Sequence, residues 1–271
     1  MQSPFDTIVK LCFKHTRLSP SVLFNLSQAL YIVALGLRTT HLIDYHLTPN
    51  QAKQLLQHLR KHKDGRDLIL LQFTDRYTFI GHRKRLLERC HSSVKEICYI
   101  DVQGKIPFKL DKVPDDLQEF LEEQLQPYVE QLEKTSIITN DKDDEKVFMV
   151  SNLPCFMVAL TGWLLEYPMV YVCHQVGDIF DEWEPRVNCL GNIPLVWVKL
   201  QIQEKQLMST RQQPYSLLSF TYPTCILPTA KEQQQVVDHL RNIFSARLSS
   251  YCSSMRLIIH QEIVTLDRVA L

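Results

Sequence analysis

Apolar positions in residues 4–16 recur at helical spacing, with Phe5, Ile8, Val9, Leu11 and Cys12 on one side, and predict an amphipathic helix. Ser19-Pro20 is an N-cap followed by a proline at the first helical position, so a second, very apolar helix runs to about Leu30. Residues 39–45 read as a strand. Thr48-Pro49-Asn50-Gln51 is a capping box, and Ala52, Leu55, Leu56 and Leu59 continue it at helical steps. The run from Asp67 to Thr74 is apolar almost throughout, the signature of a strand buried on both faces. Arg76-Tyr77 suggests a short hairpin into Phe79-Ile80. A basic helix over Gly81 to His91 and a strand over Glu96 to Val102 follow.

Leu117, Leu121, Leu125, Tyr128 and Leu132 place a helix over 115–134, with Pro127 expected to kink it. Asn152 to Tyr167 is apolar nearly all round and predicts a buried helix, and Met169 to Cys173 a strand. Residues 175–192 show no pattern. Pro194 to Ile202 and Tyr215 to Tyr222 read as an antiparallel pair. Thr229 to Glu232 is a second capping box, its helix carrying Val236 to Leu248, and Arg256 to Leu266 is a closing strand. Strands alternating with helices predict an α/β layered sandwich with a mostly parallel, mixed sheet and helices on both faces. We expect a single domain over 1–271, with a charged loop excursion near 139–146. A two-domain chain cut there is the alternative.

Composition narrows the function classes. Hydrophobic residues are 45% and charged residues 22% of the 271, ordinary for a globular chain. Glycine is scarce, 7 in all, and scattered, so no glycine-rich phosphate loop and no GxSxG elbow exist. Basic and acidic residues balance at 30 each, with a basic excess over 1–112 and an acidic one over 113–146. Only His82-Arg83-Lys84-Arg85 is densely basic. It could hold a phosphate at a helix start, against a solvated helix end, and nucleic acid is not the expected partner. The 8 cysteines form no CxxC pair and sit in apolar company, as in a reducing compartment. Asp6, Lys10 and Lys14 interrupt the N-terminal apolar stretch, so no signal peptide is expected. Val22 to Leu37 is too short for a membrane span, and the run from Leu153 is broken by Pro154, Glu166 and Pro168.

Ligands of open α/β sheets bind beyond the C-terminal ends of strands. Those ends carry Asp44-Tyr45-His46, Thr74-Asp75-Arg76, Asp101 and His174-Gln175. Asp44, Asp101 and His174 are the candidate general acids and bases. Asp44, Asp75 and Asp101 are the candidate metal ligands. This requires their strands to be parallel neighbours. The competing reading is that Asp ends strands because its side chain bonds the turn backbone. His174 also borders the 175–192 stretch, whose Asp178, Asp181, Glu182, Trp183 and Glu184 could dock a basic protein partner. His58 and His62 share an exposed basic helix face and lack an intervening HExxH carboxylate. Trp163 and Trp197 read as core. No cysteine is marked as a nucleophile by a neighbouring histidine.

The stretch Leu153-Pro-Cys-Phe-Met-Val-Ala-Leu-Thr-Gly-Trp-Leu-Leu-Glu-Tyr-Pro-Met-Val-Tyr-Val172, followed by Pro194-Leu-Val-Trp-Val198, resembles an uncharacterised vertebrate family typified by human chromosome 1 open reading frame 74. The resemblance carries over no activity, cofactor or catalytic residue and implies an intracellular protein. The sequence therefore reads as a soluble, intracellular, cytoplasmic binding or adaptor module, its cofactors unknown. The alternative is a metal-assisted hydrolase or phosphoryl-handling enzyme with its site at the strand ends.

Overall fold

A computed structural model describes residues 3–92, 97–135, 146–173, 188–205, 214–251 and 254–270. The charged excursion, apart from Lys146, lies outside them. The chain divides into two units, each made of two stretches. One is Met1–Ser92 with Phe120–Leu153, the other Ser93–Glu119 with Pro154–Leu271. Neither boundary falls at 139–146.

The first unit begins with α1 (Asp6–Cys12), α2 (Pro20–Ala34), β1 (Thr40–Ile43), α3 (Pro49–Arg60), β2 (Leu68–Phe73), β3 (Tyr77–His82) and α4 (Arg83–His91). Its sheet has the order β1-β3-β2-β6, where β6 is Val147–Val150. All six residues of β2 are buried, as its unbroken apolar run requires. Alternate residues serve opposite faces. Leu68, Leu70, Ile80 and Ile43 face a core built with Val9, Leu30, Leu55 and Leu59 of α1, α2 and α3. Phe73 and Phe79 meet edge-on at 6.1 Å, and Phe73 lies 6.0 Å from Phe120 and 6.3 Å from Phe148.

That second face is closed by a helix interrupted as it approaches Pro127. α5 (Asp115–Phe120) widens into a π-turn over Leu121–Leu125 before α6 (Gln126–Thr135). Pro127 has no N–H to donate and its ring crowds the preceding turn, so the helix relaxes there into a wider turn.

The expected mostly parallel sheet is not what forms. Among the described residues, five pairings are antiparallel and two are parallel, β2·β6 and Cys98–Asp101 with Met169–Val172. A doubly buried run reports helices on both faces, not strand direction. Direction follows the connection. Only Thr74, Asp75 and Arg76 lie between Phe73 and its partner Tyr77, far too few for a parallel crossover.

In the second unit, β4 (Cys98–Asp101), β5 (Phe108–Lys109) and β7 (Met169–Val172) form one sheet, ordered β5-β4-β7. β8 (Pro194–Glu204), β9 (Tyr215–Pro223) and β10 (Met255–Thr265) form another, ordered β10-β8-β9. The expected Pro194/Tyr215 antiparallel pair is present. α8 (Ala230–Tyr251) starts at the capping box, where Thr229 Oγ1 accepts from Glu232 N–H at 3.2 Å. It buries Val237, Leu240, Phe244 and Leu248. Trp163 is core, but Trp197 is not: its Nε1 donates to Ser219 Oγ at 2.7 Å on the partly exposed side of β8.

α7 (Met157–Leu164) is shorter than the apolar run predicts. Gly162 lets it press against β7, since a Cβ there would lie 3.2 Å from Val170 Cγ1. It ends in a pair of bonds, Glu166 N–H to Trp163 C=O and Tyr167 N–H to Gly162 C=O. This motif puts its C′ residue in the left-handed region. At the end of α2 the same residue is Gly36, φ 65°; here it is Glu166, φ 63°. The Glu166 carboxylate is buried and held by both Arg247 nitrogens, at 2.7 and 3.0 Å. That ion pair explains a non-glycine residue at a position costing about 1 kcal/mol. Arg247→Met should lower unfolding free energy by about 3 kcal/mol, because it strands a buried carboxylate. Glu166→Gly should cost about 1 kcal/mol less than Glu166→Ala, since only glycine relieves the backbone. Chemical denaturation checks both, and equal losses for the two would remove the backbone account.

Candidate functional site

β1, β2 and β6 run in the same direction, because β1 and β2 both oppose β3 and β6 parallels β2. Their C-terminal ends therefore share one edge of the first sheet. Asp44 follows β1 directly. The loop beyond it brings His46 to the hairpin after β2, where His46 Nε2 lies 2.9 Å from Asp75 Oδ2. Both side chains are more than half exposed. The bond from His46 holds the Asp75 carboxyl below its usual range. Asp44 behaves oppositely: neighbouring protein excludes enough water to raise its carboxyl. Thr74, at the end of β2, has φ 55° and donates its N–H to Val150 C=O at 2.8 Å.

Gln72 forms the floor of this edge. Its amide nitrogen donates to Leu47 C=O at 3.0 Å and Thr78 Oγ1 at 3.1 Å. Its Oε1 is buried without a hydrogen-bond partner among the described residues. Chemically, the edge offers an imidazole oriented by a carboxylate and, at the end of β1, a carboxyl that takes up a proton more readily than most.

Asp101 belongs to a different sheet. It ends β4 opposite Val172 of β7, and its Oδ1 accepts from Gln103 N–H at 2.9 Å, a local turn bond. His174 and the loop as far as residue 187 lie outside the described residues. The loop's far root is tied down: Cys189 N–H donates to Val102 C=O at 3.0 Å, and Asn188 Nδ2 to Val269 C=O at 2.9 Å. Among the described residues, no group of three or more His, Cys, Asp or Glu could hold a metal. Burial pushes up the thiols of Cys12, Cys98, Cys155 and Cys189, and that of Cys90 to about 12, so these sulfurs stay protonated.

The basic quartet is committed internally. Arg83 is 7% exposed. Its guanidinium bonds Asp67 Oδ1 at 2.8 Å, Glu133 Oε2, and Leu132 C=O at 3.4 Å. Arg85 donates to Gly36 C=O at 2.8 Å and to Glu88 at 2.7 Å. His82 caps α4 through Nδ1, which accepts from Arg85 N–H. A helix start already capped, with its arginines paired, is not an open phosphate site.

The sequence pattern of DUF4504, a domain of unknown function, matches residues 10–271. The chain belongs to the DUF4504 family. No curated protein and no solved structure matches it. Among the described residues, no helix is long and apolar enough to cross a membrane.

In this DUF4504 chain, several features were not singled out from sequence. The His46–Asp75 contact depends on a loop conformation that leaves no periodic trace. Gln28, 3% exposed with neither amide atom paired among the described residues, was readable as a long polar residue in a mostly apolar helix. Ile106 and Phe108 stand 72% and 51% exposed on the connection and edge strand following β4. Two adjacent lysines, Lys105 and Lys109, were the available sign.

Burial lowers His82 from 6.5 to about 4 and His41 to about 3, the latter helped by Arg38. A histidine whose folded pKa is depressed is neutral in the fold but charges in the unfolded chain. Its stability contribution is complete above 6.5 and is lost as pH falls toward the folded value. We expect the melting temperature to fall by several degrees between pH 7 and pH 4. A His82→Asn variant, which keeps a capping acceptor, should show a shallower slope. An identical slope would remove His82 from the account.

Proposed function

We propose that the protein is a non-catalytic binding module that engages an acidic, partly apolar protein partner through the segment 104–109. The exposure of Ile106 and Phe108 beside Lys105 and Lys109 carries this reading. A contiguous exposed apolar patch rimmed by charge marks a contact site, and flanking lysines select a partner of opposite charge. The turn bond at Asp101 and the protonated thiols support a binding role over a catalytic one. The reading takes the chain as a soluble, intracellular, cytoplasmic protein folded as one domain, and as kin to the vertebrate family typified by chromosome 1 open reading frame 74. Among the described residues seven cysteines are free, which supports a reducing compartment. The acidic stretch 175–192 is a second contact candidate, resting on sequence alone.

Replacing both Ile106 and Phe108 by Ser should leave the melting temperature within about 2 °C, since both are exposed. It should remove a defined subset of partners in quantitative affinity capture, and Lys105→Glu with Lys109→Glu should remove the same subset. Capture unchanged by either variant would overturn the reading.

A specific observation supports an enzymatic alternative: the raised Asp44 carboxyl ends a strand at the same sheet edge as the His46–Asp75 contact. It predicts a divalent-metal or phosphometabolite thermal shift that vanishes in Asp44→Ala. No shift with any such ligand would dismiss it.

A further inference from the structure

β10 is eleven residues long and lies at the edge of its sheet. Its ladder with β8 runs from Met255–Glu204 to Thr265–Pro194 without a register shift. Among the described residues, no strand pairs with its other side. Edge strands of soluble proteins are usually kept short, bulged, or interrupted by proline. This one has none of these protections and contains Ile258, Ile259, Ile263, Val264 and Thr265, all favourable in strands. Ile263 is 66% exposed.

The ladder tells which backbone groups are free. Lys205 N–H donates to Ser254 C=O at 2.7 Å, continuing the register one pair beyond Met255. In an antiparallel ladder such hydrogen-bonded pairs alternate along the strand. Even-numbered residues of β10 therefore bond inward to β8. Met255, Leu257, Ile259, Gln261 and Ile263 turn their N–H and C=O groups outward.

We propose that β10 pairs antiparallel with β10 of a second copy of this chain, about a two-fold axis at Ile259. In that register Ile259 faces its own copy, Leu257 faces Gln261, and Met255 faces Ile263. Every facing pair has matched parity, so outward N–H groups meet outward C=O groups. The same register sets Arg256 opposite Glu262 on both sides of the axis, at the closely spaced, non-hydrogen-bonded positions. Both side chains are exposed. Arg256 also donates one guanidinium nitrogen to Gln203 Oε1 at 2.6 Å, which keeps it over the sheet surface. Opposite charges directly across such a pair stabilise it, and like charges oppose it. A shift of the axis by one residue in either direction breaks the Arg256–Glu262 pairing, so charge selects this register.

The test is sedimentation velocity of the full-length protein between 1 and about 100 µM. The expected result is a concentration-dependent dimer. Arg256→Glu alone and Glu262→Arg alone should each weaken dimerisation at least roughly tenfold, because each sets two like-charged pairs across the axis. The double reversal should restore it. Gln261→Pro removes one outward N–H without touching the β8 ladder and should give a folded monomer, with the far-ultraviolet dichroism of the parent. A parent that stays monomeric throughout overturns the proposal. So does a double reversal that fails to regain what the single reversals lose.

Discussion

A single buried guanidinium organises the first unit. Arg83 opens α4, yet it is held by Asp67 ahead of β2 and by Leu132 and Glu133 late in α6. Its own N–H bonds Asp67 C=O at 2.9 Å. A guanidinium out of water needs its charge and its donors satisfied, and here three stretches far apart in sequence supply them. Burial alone would raise the Asp67 carboxyl, but the bond from Arg83 and the charges of Arg83 and Lys84 hold it below its usual range. The fold thus uses its densest patch of positive charge to fasten helices to a sheet, which leaves little of it for a ligand.

The same economy holds elsewhere. Glu166 and Arg247 make up a buried ion pair in the second unit, at a helix end that would otherwise call for glycine. The chain has few glycines, and one left-handed position is filled by a residue whose side chain has a fixed partner. What remains open lies at the surface: the Asp44–His46–Asp75 edge, the apolar residues at 106 and 108, and the outer edge of β10.

Much of the secondary structure was legible because it is written locally. Both capping boxes, the proline-led start of α2 and the alternation in β8 and β9 depend on neighbours within a turn or two, and each appears as read. Strand direction was not legible from the apolar run at 68–73, since burial on both faces is common to parallel and antiparallel central strands. The short strand at 147–150 had no alternation to announce it; it exists because β2 offers it a partner. The basic quartet left a phosphate site and a solvated helix end both open, because sequence shows charges and hides their partners. Asp67 and Glu133 are 16 and 50 residues from Arg83. Of the strand-end carboxylates, the structure gathers Asp44 and Asp75 at one sheet edge and sets Asp101 in another sheet, a distinction no local pattern encodes.

The most direct measurement is a double-mutant cycle on Arg83 and Glu133, read by chemical denaturation, with a phosphate titration of each variant. Arg83→Met should cost about 2–3 kcal/mol, less than a fully buried pair because both acids are partly exposed. Glu133→Gln should then cost far less in the Arg83→Met background than alone, and phosphate should not stabilise the parent protein. An Arg83→Met variant of unchanged stability that loses a phosphate-induced thermal shift would contradict the account, and would return Arg83 to a binding role.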